Sequence, residues 1–369
     1  MFFTKKDPAP LYFPSLLFPD RQYFPEVPPV TLSHDFGDAM NTLGIQVLRP
    51  VPSQTETANY PAALRRPAFR RNHTETYYSM YVLQTGYGIT YYKSLLEKPA
   101  NNRHILWPQD LVQSVSGTAS AGYALLFPWE PDAFYAPLTE VMSSFGALDW
   151  QNHDVLELGA KICYALGEIN RTGYICGELC PEKLYLNENN RVIFDFSDLI
   201  YPMENDARDN ALCGYIAAAD AWPPPFTRSS LYNGTQPAPD AASQNYSLAA
   251  LLFYLFFGRY PCEGRLLDGY SSDTKQNRLV KFRAYHAAPY FLFEPNAENN
   301  PNRLGNFAAE QDLLRRWDAM PSSLREKFQT VLCHDNAVSA EPPAHDVTPA
   351  DWLRAFDSIL DLRKLDIVI

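Results

Sequence analysis

The longest apolar run in the chain, Leu248 to Phe257, most tightly limits what it can fold into. It is too long for an ordinary strand and about half the length a bilayer needs, and it stops at Gly258-Arg259. It therefore predicts a helix buried inside a protein, over 246–257. Amphipathic patterns follow it around 308–317, 321–333 and 348–362, with Ser322 or Ser323 as a cap for the second and Thr348-Pro349 opening the third. Ahead of it, Leu156, Leu158, Ile162, Leu166 and Ile169 line one face of a helix over 155–169. The first part of the chain reads differently. Residues 44–48, 77–83, 105–108 and 121–127 have the alternation and aromatic content of strands, and 90–97 reads as a short helix that Pro99 ends, with Thr90 as its cap.

Residues 1–30 hold seven prolines, among them the steps Phe13-Pro14, Phe18-Pro19 and Phe24-Pro25. Proline at this density forbids a helix and favours extended chain. The interleaved Leu11, Tyr12, Leu16, Leu17 and Tyr23 make the segment a strap across a surface, its own or a partner's. The expected organisation is a Pro/aromatic-rich extension (1–30), a strand-rich part (31–128) and a helical part (129–369). That is an α+β order of two lobes.

The net charge of −11 repels phosphate backbones and anionic membranes, so neither is an expected partner. Arg65, Arg66, Arg70 and Arg71 are the best candidate for a local basic patch, against a solvated charge cluster. The six cysteines lack the regular spacing of a disulfide framework, and the Cys176/Cys180 pair has no second pair or nearby histidine to complete a zinc site. The N-terminus shows no secretory pattern. A cytoplasmic protein with reduced thiols is expected. The run Arg315-Arg316-Trp317 reads as one solvated helix face, and Trp107, Trp129, Trp317 and Trp352 as core anchors.

The chemistry is concentrated in Gly173–Leu199, GYICGELCPEKLYLNENNRVIFDFSDL. A helix ends at Arg-Thr-Gly, and a polar loop carries Glu178 and Lys183. Two strand patterns, 183–186 and 192–194, flank the turn Asn187-Glu188-Asn189-Asn190 and deliver Asp195 between Phe194 and Phe196. A hairpin of this length brings the loop and its far end side by side. Two carboxylates so placed suit phosphoryl transfer, one for the hydroxyl proton and one for a divalent cation.

The segment resembles the catalytic loop and metal-binding segment of protein kinases, in particular the bacterial Ser/Thr branch whose loop reads roughly G-[YF]-[VI]-H-G-D-L-x-P-x-N. Gly173, Tyr174, Ile175, Gly177, Leu179 and Pro181 match, and Asp195 falls at the aspartate of Asp-Phe-Gly. Gly214-Tyr215-Ile216 with Pro223-Pro224-Pro225 is similar to the end of an activation segment, and Tyr246–Phe253 with Gly258–Pro261 to the central helix of the larger lobe. The resemblance covers about 75–362 and implies a bilobal protein-kinase-like fold, with a small strand-rich N-lobe and a larger helical C-lobe. ATP, with or without magnesium, is the ligand it implies.

The departures from that pattern carry the functional expectation. Cys176 stands at the loop histidine, and Glu178 at the catalytic aspartate, one methylene longer. A misplacement near 1 Å can cost about a hundredfold in rate. Lys183 replaces the second metal-binding residue, and an ammonium repels a cation. Ser197 replaces the glycine of Asp-Phe-Gly, and Gln244 the aspartate that opens the central helix. No G-x-G-x-x-G occurs, and Gln84 occupies the most plausible strand-lysine position, with Glu97 as its helix partner and Lys93 as a weaker alternative for the lysine. The resulting expectation is a pseudokinase, acting as a protein-binding scaffold or allosteric regulator and requiring no cofactor. The alternatives are a nucleotide-binding sensor without turnover, or an atypical active Ser/Thr kinase with Glu178 as base and Asp195 as metal ligand. Lys183 itself has two readings, a stand-in for a metal at nucleotide phosphates or a neutraliser of two inherited carboxylates.

Overall fold

The computed structural model describes residues 13–14, 17, 22–24, 68–71, 77–82, 89–113, 123–128, 135–176, 179–195, 200–202, 240–265, 280, 289–295, 300–304, 308–333 and 347–367, except 101, 303 and 366. The architecture mixes short antiparallel strands with seven α-helices among these residues. It falls into two compact units, residues 1–137 with 183–198, and residues 138–182 with 199–369.

The first unit is built on six antiparallel strands: β1 (Phe13–Pro14), β2 (Gln22–Phe24), β3 (Ala68–Arg71), β4 (Tyr77–Val82), β5 (Asp110–Gln113) and β6 (Tyr123–Pro128). Their order is β1-β2-β3-β4-β6-β5, and the two outer strands lie beside each other, so the sheet curls towards a barrel. Curling of this kind leaves less of each edge open to foreign strands. Residues 13–14 and 22–24 of the proline-rich segment thus pair within the sheet, with Tyr23 across from Arg71 and Phe24 across from Arg70. Leu125 and Phe127 on β6, Leu111 on β5 and Tyr78 on β4 are buried, with Tyr92 and Leu95 from α1 (Ile89–Glu97). The helix begins at Ile89, one residue before Thr90, so Thr90 lies in the first turn and not at the cap. The strand expected at 105–108 is reduced to a single parallel bridge, Ile105 to Phe194; regular pairing resumes only at Asp110, beyond a proline that has no N–H to give. The expected strand at 44–48 lies outside the described residues.

A second sheet of this unit has the order β10-β9-β7, from β7 (Tyr135–Pro137), β9 (Leu184–Asn187) and β10 (Val192–Phe194). β9 and β10 form the expected hairpin. Asn190 closes the turn at φ 55°, a left-handed conformation that asparagine tolerates well.

The second unit is helical: α2 (Leu138–Ser144), α3 (His153–Arg171), α4 (Ala241–Phe257), α5 (Ala308–Ala319), α6 (Ser322–Leu332) and α7 (Pro349–Asp357), with the strand pair β8 (Tyr174–Cys176) and β11 (Ile200–Pro202). Every residue of α4 except Ala241 and Tyr254 is buried, as an all-round apolar helix requires. It starts earlier than its apolar run, at a capping box: Asp240 accepts from the Ser243 N–H and Ser243 accepts from the Asp240 N–H, each at 2.8 Å. It ends at Gly258 in the left-handed region, φ 67°. α3 packs close to α4 and α7 because Gly159 offers no Cβ; one built there would meet Phe356 at 3.1 Å and Leu252 and Phe256 at 3.3 Å. Thr348 and Asp351 form a second capping box at α7, with Pro349 at the first turn as expected. α6 is different: its cap is Pro321, without a side-chain bond, and Ser322 and Ser323 lie inside the helix.

Arg316 and Trp317 correct the reading of a solvated face. Trp317 is buried and stacks on Phe293, with centroids 4.3 Å apart. The Arg316 guanidinium donates to the carbonyls of Phe256 (2.6 Å) and Leu148 (3.0 Å) and pairs with Asp149 at 3.2 Å. It thereby shares with the Trp150 N–H (3.1 Å) a carbonyl at the end of α4. Only Arg315 of the three fits the expectation, being 77% exposed.

Candidate functional site

The segment between Cys176 and Ile200 leaves and returns at one place. β8 and β11 pair antiparallel, with Cys176 opposite Ile200, Ile175 opposite Tyr201 and Tyr174 opposite Pro202. Glu178, Lys183 and Asp195 all belong to this excursion.

At its start, α3 closes with Thr172 and with Gly173 at φ +86°, the left-handed turn that reverses the chain into β8. Tyr174, Ile175 and Cys176 are then buried. The Cys176 N–H donates to the side-chain carbonyl of Gln244 in the first turns of α4, at 2.9 Å. Gln244 is 1% exposed, and its Nε2 has no hydrogen-bond partner among the described residues. Burial pushes the Cys176 thiol far above its ordinary pKa, so this cysteine is a small buried hydrophobe and not a thiolate nucleophile.

Beyond Cys176, Leu179 and Cys180 are buried and Pro181–Lys183 forms a single 3₁₀ turn leading into β9. The hairpin register pairs Leu186 with Val192, Tyr185 with Ile193 and Leu184 with Phe194. One step further, the Asp195 N–H donates to the Lys183 carbonyl at 2.8 Å. Lys183 and Asp195 therefore stand abreast, at the Cα spacing of about 5.5 Å typical of a hydrogen-bonded cross-strand pair. Asp195 is buried, at 5% exposure, and Lys183 is half-buried.

The preceding strand edge is held by His104. Its backbone carbonyl accepts the Phe194 N–H at 2.8 Å, the Phe194 carbonyl accepts the Leu106 N–H at 3.2 Å, and its ring Nδ1 donates to the Val192 carbonyl at 2.8 Å. Burial lowers the His104 pKa despite that bond, which keeps the imidazole neutral. Spacing alone had no means of singling out this histidine, because Val192 lies 88 positions away.

Of the remaining candidates, Glu97 is exposed at the end of α1 and Lys93 is half-buried on the same helix. Gln84 and Glu178 lie outside the described residues, as do Ser197, Trp129 and the four arginines' side chains. Trp107, Trp317 and Trp352 are buried, as core anchors should be. The described part of the hairpin offers a divalent cation one carboxylate with a lysine beside it, whereas magnesium requires near-octahedral oxygen donors. Among the described residues no three His, Cys, Asp or Glu side chains are grouped to hold one.

Compared with known proteins, the chain matches no family model and no curated protein. Among the described residues no helix is long and apolar enough to cross a membrane.

Proposed function

We propose that this chain is a catalytically impaired protein-kinase-like protein, a pseudokinase that works by binding other proteins as a scaffold or allosteric regulator. The reading takes the strand-rich unit as the counterpart of a kinase N-lobe and the helical unit as that of a C-lobe. The single observation that carries it is the placement of Lys183 abreast of Asp195. In a working phosphotransfer site the residue there would add an oxygen donor to the cation that Asp195 holds; here it adds a positive charge.

Three further features support the same reading. Cys176 is buried, Glu178 replaces the shorter catalytic carboxylate, and no glycine-rich phosphate loop exists in the sequence. The apolar, proline-rich composition of residues 1–30 suits recognition by a protein partner, and the acidic net charge argues against nucleic acid.

An incorporation assay with labelled ATP tests the proposal, using the full chain with Glu178→Ala and Asp195→Ala beside it. The parent is expected to incorporate no label above that of the two variants. Label incorporated by the parent and lost in both variants overturns the proposal in favour of an active kinase.

A further inference from the structure

We infer that His104 is a pH-sensitive latch: it holds the segment 104–106 against the edge of β10 while its imidazole is neutral, and lets that segment go when the ring is protonated. The inference goes beyond the proposed function and does not depend on it.

β10 is an outer strand of its three-stranded sheet, so one row of its backbone groups faces away from β9. The segment 104–106 covers that row. The Phe194 N–H donates to the His104 carbonyl at 2.8 Å, the Leu106 N–H donates to the Phe194 carbonyl at 3.2 Å, and Ile105 forms a parallel bridge with Phe194. Two backbone bonds are a short attachment for a strand edge, and a side chain adds the third: the His104 Nδ1–H donates to the Val192 carbonyl at 2.8 Å.

A carbonyl can only accept, so Nδ1 carries the proton of the neutral ring and a second proton must go to Nε2. Protonation leaves the Nδ1 bond in place but puts a charge on a residue only 3% exposed. Arg103, on the same segment, and Arg191, just ahead of β10, both add positive charge there. Lys183 and Asp195 come one step beyond Phe194 along the hairpin. Burial is the largest effect on the ring and, with the two arginines, outweighs the Val192 bond, so the folded protein keeps the imidazole neutral below its ordinary range. Ile105 and Trp107 on the same segment are buried too, so hydrating the charge means lifting the segment. Once in water the imidazole takes up its proton near pH 6.5. The hold is therefore complete above that pH, and it is lost as the pH falls through the lower value of the buried ring.

Amide hydrogen exchange of the full chain between about pH 7.5 and 5.5 tests the latch, with each rate divided by the intrinsic amide rate at that pH. In the parent, protection of peptides spanning 104–106 and 192–195 is expected to fall below about pH 6.5, by up to about tenfold per pH unit, while α3 keeps its protection. His104→Asn retains an amide donor near the Nδ1 position and cannot ionise, so its protection is expected to be flat with pH. A parent whose protection is flat overturns the inference. So does a His104→Asn variant that loses protection with pH as the parent does, since another group would then carry the effect. Should His104→Asn lose protection at every pH, nitrogen NMR of the parent's labelled histidines decides. The His104 ring is expected to titrate below its ordinary value and together with the loss of protection; a ring that titrates while the peptides stay protected overturns the inference.

Discussion

The side-chain carbonyl of Gln244 accepts the backbone N–H of Cys176 at 2.9 Å, joining the first turns of the buried helix α4 to the strand that precedes the candidate loop. Both residues are buried, so the bond is made out of reach of water. The other half of the amide, Nε2, finds no partner among the described residues.

Gln244→Ala should therefore destabilise the protein by about 1–3 kcal/mol, the cost of leaving a buried N–H unpaired. Urea denaturation at neutral pH measures it. An unchanged midpoint would mean that the Cys176 N–H finds another acceptor.

Gly264 makes a second prediction. A Cβ there would collide with the Asn302 backbone oxygen and lie 2.6 Å from Leu292 Cδ2. Asn302 cannot yield, because its amide nitrogen donates to the carbonyls of Cys262 (2.7 Å) and Tyr290 (2.9 Å). Gly264→Ala is expected to cost about 1–3 kcal/mol as overpacking, where a surface Gly→Ala change is close to neutral or stabilising.

The capping box of α7 gives the pH dependence. Burial pushes the Asp351 carboxyl up, but the bonds from the Thr348 hydroxyl and N–H, with the charges of Arg354 and Lys327, outweigh it and hold its pKa below the ordinary value. A carboxyl depressed in the folded state contributes stability above its unfolded pKa, near 3.9, and loses it as pH falls through the lower folded value. Asp351→Ala should be less stable than the parent at pH 7 and approach it as the pH falls below about 4. A gap that stays constant with pH would contradict this assignment.

Deletion of residues 1–30 removes β1 and β2 and leaves β3 at the sheet edge. The melting temperature is expected to fall by at least about 2 °C. An unchanged value would mean that the strap belongs to a partner and only rests on this sheet.

What could be read from the sequence depended on how local the cause was. The hairpin at 184–194 was legible because its turn residues and alternating strands are contiguous, and the α7 cap because Thr348-Pro349 signals itself within two positions. The start of α4 was read as 246 because Ala241–Asn245 are small or polar, and only the Asp240–Ser243 capping box shows that the helix already runs there. Pro108 explains the broken strand after Ile105. The role of Arg316 was hidden, since Leu148 and Phe256 lie 168 and 60 positions away and neither carbonyl has a sequence signature. At the site itself, chemistry was legible before geometry. Lys183 and Asp195 were evident as residue types, but that they stand abreast depends on the hairpin register, which a slip of one residue would have undone.

Calorimetric titration of ATP into the full chain, first with magnesium and then with EDTA, tests the central claim most directly. The proposed impaired site, with Lys183 abreast of Asp195, predicts no heat that requires magnesium. Any binding should survive EDTA unchanged. Binding that appears only with magnesium and disappears in Asp195→Asn would show a working metal site and contradict the account.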